Sequence, residues 1–131
     1  CSKGNGAKLN DTKIRVKNQN SLAKGLLATG FAVRNTTDFS KQLETVNSCL
    51  KQGADIRRSG SAALDLAYTA CGRLDGFWEY GLSPWDVAAG SLIVTESGGI
   101  VADKDGTENY NTSGSIVAGN PKVVKALLKV I

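Results

Sequence analysis

Two carboxylates, Glu79 and Asp86, flank a short turn in the run WEYGLSPWD. Acidic side chains held that close by one loop suit a hard divalent cation or a hydroxyl-rich ligand. A second polar feature is Gly60-Ser61-Ala62, which opens a strongly apolar segment. If that segment is helical, its first N–H groups are free to receive an anion or a hydroxyl. Ser59, Ser61 and Ser83 complete the polar set, but the chain contains no histidine. Without that base a serine nucleophile lacks its usual activator, which argues against serine chemistry, and the commonest zinc ligand is missing. Cys1, Cys49 and Cys71 are far apart in sequence. That spacing argues against a zinc site and a disulfide framework and fits a reducing compartment. Any metal here would be held by oxygen, as magnesium, manganese or calcium are.

Each of these residues also has a purely structural reading. Ser83-Pro84-Trp85-Asp86 fits a capping box, in which the carboxylate reaches back to the cap N–H. Glu79 alone reads as a solvated loop residue, and Gly60-Ser61 as close packing of a helix start. Trp78 and Trp85 read as core. Asp65, inside an apolar helix, needs a partner, for which Arg57, Arg58 and Arg73 are the candidates.

Strands alternating with helices must position the pair. Leu74 to Trp78 reads as a strand that delivers Glu79 at its end. Ser83 and Pro84 start a helix that carries Val87, Ala88, Leu92, Ile93 and Val94, and Gly98-Gly99 stops it. Upstream, residues 25–33 read as a strand interrupted at Gly30, and residues 34–38 as a polar loop. Phe39, Leu43, Val46 and Leu50 follow a helical period over residues 38–52 and predict the buried face of an amphipathic helix. Residues 54–57 read as a short strand, and a buried helix runs from Gly60-Ser61 to Cys71. Strands at residues 100–103 and 115–118, separated by a polar loop at 107–114, precede a last helix capped by Asn120-Pro121. From residue 25 onward the class is α/β, and ligands of such sheets bind beyond the strand ends.

The 131 residues carry a net charge of +4, with 41% hydrophobic and 21% charged residues. That describes one soluble domain with a core. No apolar run approaches the ~20 residues of a membrane span, and no secretory signal is visible. A cytoplasmic location and no membrane partner are expected. Basic residues crowd the front: Lys3, Lys8, Lys13, Arg15, Lys17 and Lys24 stand against Asp11 alone over residues 1–24. A solvated β-hairpin turning at Asn10-Asp11 accounts for this segment; a nucleic-acid surface is the alternative, though no aromatic residues are interleaved. A hairpin is not stable alone. Residues 1–24 are therefore expected to be the edge of a sheet whose other strands lie upstream, with residues 25–131 a C-terminal α/β domain. The chain starts at Cys1 and has no methionine, which reads as the later part of a longer protein.

The runs RRSGSAALDLAYTACGRLDGFWEYGLSPWDVAAGSLIVTESGGIVAD and IVAGNPKVVKALL resemble the later half of bacterial inositol monophosphatases. The similarity extends from KGNGAKLND to the end, and PWDVAAGSLIV-x-ESGG resembles the family's second signature. The resemblance implies a layered αβαβα sandwich, here mainly its C-terminal half, of the inositol monophosphatase and sugar phosphatase type. It implies a lithium-sensitive, Mg²⁺-dependent phosphomonoesterase that hydrolyses inositol 1-phosphate and forms a homodimer. By position, Asp86 matches a metal ligand. Glu79 matches the acid that holds inositol hydroxyls, and Gly60, Ser61 and Ala62 match the segment lining the inositol site. Trp85 matches the aromatic beside the metal ligand. A sugar bisphosphate or a phosphoadenosine nucleotide is an alternative substrate. Some similar bacterial proteins are partners of the transcription machinery or RNA, and Lys13, Arg15 and Lys17 would then carry the contact. The family's first signature, Asp-Pro-x-Asp-Gly-Thr, and an upstream glutamate are absent. The resemblance therefore implies no complete catalytic set and little or no phosphatase activity in this polypeptide by itself.

Overall fold

A computed structural model of the chain describes residues 1–31 and 39–131. The expected loop at residues 34–38 and the end of the preceding strand lie outside the described residues. Twelve elements follow in order among them: β1 (Lys8–Leu9), β2 (Thr12–Lys13), β3 (Leu26–Thr29), α1 (Phe39–Lys51), β4 (Asp55–Arg57), α2 (Ala62–Ala70), β5 (Gly76–Glu79), α3 (Pro84–Glu96), β6 (Ile100–Ala102), α4 (Tyr110–Ser113), β7 (Ile116–Gly119) and α5 (Pro121–Val130). Five strands form one mixed sheet in the order β4-β3-β5-β7-β6. The β3 strand runs parallel to β4 and β5, whereas β7 runs antiparallel to β5 and β6. This is the expected α/β class.

Two apolar clusters divide around the sheet. One gathers Leu22, Leu27, Trp78, Val123 and Leu127, with α1 and α5 contributing partly buried residues. The other gathers Leu66, Phe77, Val87, Val94 and Ile116, where α2 and α3 pack. Alternation along β5 explains the division: Phe77 and Trp78 point to opposite faces, and both are fully buried.

The structure corrects the reading of α1. Its buried side is Gln42, Thr45 and Cys49, with Val46 packed partly against the core. Phe39, Leu43 and Leu50 are exposed instead. The carbonyl of Gly30, just beyond β3, requires a donor. Gln42 Nε2 supplies it at 3.2 Å, which turns a polar position inward. The polar loop at 107–114 also contains the short helix α4, closed by Gly114 at φ 75°.

At the front, β1 and β2 make a two-stranded sheet of their own. Asn10 and Asp11 adopt φ values of 50° and 67°, as a tight hairpin turn requires. Lys8 lies opposite Lys13, and such like-charge pairing weakens a hairpin. The body holds it instead. Glu96 at the end of α3 accepts from the N–H groups of Gly4 (2.7 Å) and Gly6 (3.0 Å). Those two donors lower the Glu96 pKa below the usual carboxylate value. Further along, Val16 N donates to Ser97 O, and Leu22 is buried in the core. Asp75, also buried, accepts from Leu26 N and faces Lys17 Nζ at 3.5 Å.

Candidate functional site

The β5–α3 junction is built by local rules. Ser83 is the cap residue of α3 and Pro84 its first helical residue. Asp86 Oδ2 accepts from Ser83 N at 3.0 Å, closing a capping box. Such a cap stabilises a helix by roughly 0.5–2 kcal/mol. The capping reading of Asp86 is therefore correct, but it uses one oxygen; Oδ1 has no hydrogen-bond partner among the described residues. Asp86 is half-buried and lines a cleft of about 270 Å³.

Glu79 ends β5 and lines the same cleft. It is half-buried rather than a freely solvated loop residue. Burial raises its pKa to about 7, with the nearby charges of Asp65 and Asp86 acting in the same direction and Arg58 against them. Gly30 makes room for it: a Cβ at that position would fall on Glu79 Oε1. Glycine at the end of β3 thus lets the carboxylate lie against the neighbouring strand's backbone.

The third wall is the start of α2. Gly60 adopts φ 87°, and Ser61 caps the helix by accepting from Leu64 N at 3.3 Å. Gly60, Ser61 and Ala62 all face the cleft. Asp65 is buried behind them, but its hydrogen-bonding partner is not one of the expected arginines. Its Oδ1 accepts from the Ser59 hydroxyl at 2.7 Å, while Oδ2 has no hydrogen-bond donor among the described residues. Burial raises the Asp65 pKa, partly offset by that hydroxyl and by the Arg57 charge.

The structure thus brings Glu79, Asp86, Gly60, Ser61 and Ala62 into one cleft. It also adds Gly30 and Arg58, which sequence reasoning did not assign there. The signal for Arg58 was its position two residues before Gly60. Trp85 departs from expectation: it is 82% exposed, so it is not a core residue, and it does not line the cleft. Trp78 is core as expected. At the front, Lys13, Arg15 and Lys17 do not share one role. Lys13 lies on β2, and Lys17 faces the Asp75 carboxylate.

The ligand atoms that the carboxylates and hydroxyls of the cleft offer are oxygen, as a hard cation requires. A cation there would relieve the part of the Glu79 shift that Asp65 and Asp86 add to burial, although Arg58 already puts one positive charge in the cleft. Yet among the described residues no group of three or more acidic, cysteine or histidine side chains is placed to hold a metal ion. The residues present fit part of a magnesium site and not a whole one. Among the described residues, no helix is long and apolar enough to cross a membrane.

Comparison with known proteins agrees with this architecture. Residues 1–130 match the model of the inositol monophosphatase family. The "Nus factor SuhB" of Escherichia coli (strain K12) is 50% identical over 128 residues, covering 98% of this chain and 48% of that protein. The "Nus factor SuhB" of Pasteurella multocida (strain Pm70) is 48% identical over 129 residues, with the same coverage. Among solved structures, the extragenic suppressor protein suhB from Bartonella henselae superposes with a TM-score of 0.94 at 39% identity. It covers 99% of this chain, which corresponds to 50% of that one. The inositol monophosphatase from Anabaena (Nostoc) sp. PCC 7120 superposes with a TM-score of 0.87 at 42% identity, over 97% of this chain and 52% of that one. The chain spans about half the length of the relatives it matches.

Proposed function

Because the chain belongs to the inositol monophosphatase family, we propose that it supplies the polyol-binding wall and one metal-ligand carboxylate of a phosphomonoesterase acting on inositol 1-phosphate. The observation that carries this reading is the convergence of Glu79, Asp86 and the Gly60–Ala62 turn on one cleft. Asp86 Oδ2 accepts from Ser83 N, which orients the carboxylate before any ion arrives, and Oδ1 has no hydrogen-bond partner among the described residues. Magnesium, when bound, would polarise the phosphate and acidify the attacking water. Glu79, in its ionised form, accepts hydroxyl hydrogens from the polyol. The free N–H groups at the start of α2 orient the ligand's oxygens. The remaining metal ligands would come from sequence outside these 131 residues.

Grafting the chain in place of the matching half of the Anabaena enzyme tests this. The chimera is expected to release phosphate from inositol 1-phosphate in magnesium. Asp86→Asn in that chimera should lower kcat/KM by about 100-fold or more, because part of a metal's charge stabilisation of several kcal/mol is lost. Gly30→Ala should raise KM through displacement of the Glu79 carboxylate while leaving folding intact. An Asp86→Asn chimera as fast as its parent would remove the metal-ligand role.

A second reading, partnership with the transcription machinery, is favoured by the relatives that carry the name Nus factor. Co-purification of RNA polymerase with the tagged chain tests it. Recovery no better than with an unrelated basic protein would reject it.

A further inference from the structure

Asp65 lies behind the cleft and does not line it. It is 2% exposed, in the first turn of a helix whose other buried residues are Leu66, Thr69 and Ala70. An ionised carboxylate in such surroundings costs free energy unless it is fully hydrogen-bonded. Asp65 is only half served: Oδ1 accepts from the Ser59 hydroxyl at 2.7 Å, and no donor among the described residues reaches Oδ2. The positive end of the helix dipole offsets part of the cost. The packing of α2 against α3 gives no reason for an acid at this position, since a buried apolar side chain of similar volume carries no such cost.

What the carboxylate holds is the turn before the helix. Ser59, Gly60 and Ser61 are all exposed, and a Cβ on Gly60 would meet nothing within 4 Å. Side-chain packing therefore does not shape this turn. Polar contacts do. The Ser59 hydroxyl gives its hydrogen to Asp65 Oδ1, and its oxygen accepts from Ser61 N at 3.2 Å. Asp65 N closes the other end by donating to Ser61 O at 3.0 Å. An ionised carboxylate can only accept, so it fixes which way the Ser59 hydrogen points and turns a lone pair toward Ser61 N. The bond to the charged acceptor is also the strongest of the three. With Ser61 N engaged, the first N–H groups of α2 itself remain for a ligand in the cleft.

We propose that Asp65 is a positioning residue: through the Ser59 hydroxyl it holds the Gly60–Ala62 turn in the shape that receives the hydroxyl groups of a polyol phosphate. The inference rests on the phosphatase reading and concerns binding of the polyol, not the chemical step. Neither Asp65 nor Ser59 lines the cleft, so both act through the turn.

The chimera with the Anabaena enzyme tests it with two substrates, inositol 1-phosphate and phenyl phosphate, which has no polyol. Asp65→Ala and Ser59→Ala should each raise KM for inositol 1-phosphate by about tenfold with kcat retained, as loss of one hydrogen bond to a charged group predicts. KM for phenyl phosphate should not move. The double substitution should cost no more than either single one, because both remove the same link. Asp65→Asn keeps an oxygen for the Ser59 hydroxyl and should keep the parent's KM. Ser59 is exposed, so Ser59→Ala reads the link without disturbing the buried helix. A parent chimera that releases no phosphate overturns the phosphatase reading and this inference with it. An active parent whose KM for inositol 1-phosphate ignores both substitutions overturns the inference alone. So does an equal rise in KM for both substrates, which marks a general loss of structure, and so do additive effects in the double variant, which mean that the two residues act apart.

Discussion

Replacing Gly90 with valine is expected to destabilise the chain by at least about 3 kcal/mol, at the upper end of what overpacking costs. The α2 and α3 helices cross so closely that a Cβ on Gly90 would sit 2.6 Å from both Cβ and Cδ1 of Leu66. Leu66 is fully buried in the cluster with Phe77 and Val87. Alanine at this site gains about 1 kcal/mol of helix propensity over glycine. That gain does not offset a contact inside normal van der Waals distance against a rigid Cβ. Valine adds two methyl groups and a weaker helix preference. Domains are stable by about 5–15 kcal/mol, so the loss is a large fraction of the whole. Urea unfolding should show a lower midpoint with an unchanged m-value. An unchanged midpoint would mean that the helices do not meet at Gly90. The effect also bears on function, because α2 and α3 carry Ser61 and Asp86 into the cleft.

The second large effect concerns catalysis. Incubated with magnesium and inositol 1-phosphate, the 131-residue chain by itself is expected to release phosphate no faster than buffer. Metal-dependent phosphate hydrolysis needs ions held by several ligands so that attacking and leaving oxygens are both stabilised. Here Asp86 provides one available oxygen, and no cluster of three candidate ligands exists among the described residues. Enzymatic acceleration is at least ~10⁶-fold, so activity and its absence are easily told apart. Robust, magnesium-dependent release that vanishes on chelation would show that this chain completes its own site. The chimera with the Anabaena enzyme separates the two explanations for an inactive chain. An active chimera means that ligands were lacking; an inactive one means that the cleft does not bind the substrate.

Much of the fold was legible because its signals are local. Ser83-Pro84 and Asp86 mark the start of α3 through hydrogen bonds made within four residues. Asn120-Pro121 does the same for α5, with Asn120 Oδ1 accepting from Val123 N at 2.8 Å. Asn10-Asp11 fixes the hairpin because few other residues tolerate positive φ. The junction holding Glu79 and Asp86 was readable for the same reason: one strand end, one turn and one cap.

The rest depended on contacts between segments distant in sequence. Helical spacing groups Phe39, Leu43, Val46 and Leu50 on one side of α1, but only the position of the Gly30 carbonyl decides that Gln42 turns inward. Trp85 follows the same pattern, being apolar by type yet outermost at the head of α3. Nor could spacing say that Gly30 clears space for Glu79, since β3 and β5 are paired across 49 residues. Sequence determined which residues share an element and where each element begins. Tertiary packing decided which face α1 buries and that Trp85 stays outside, because those choices are made by the polar groups and volumes of the neighbours and not by the element's own period.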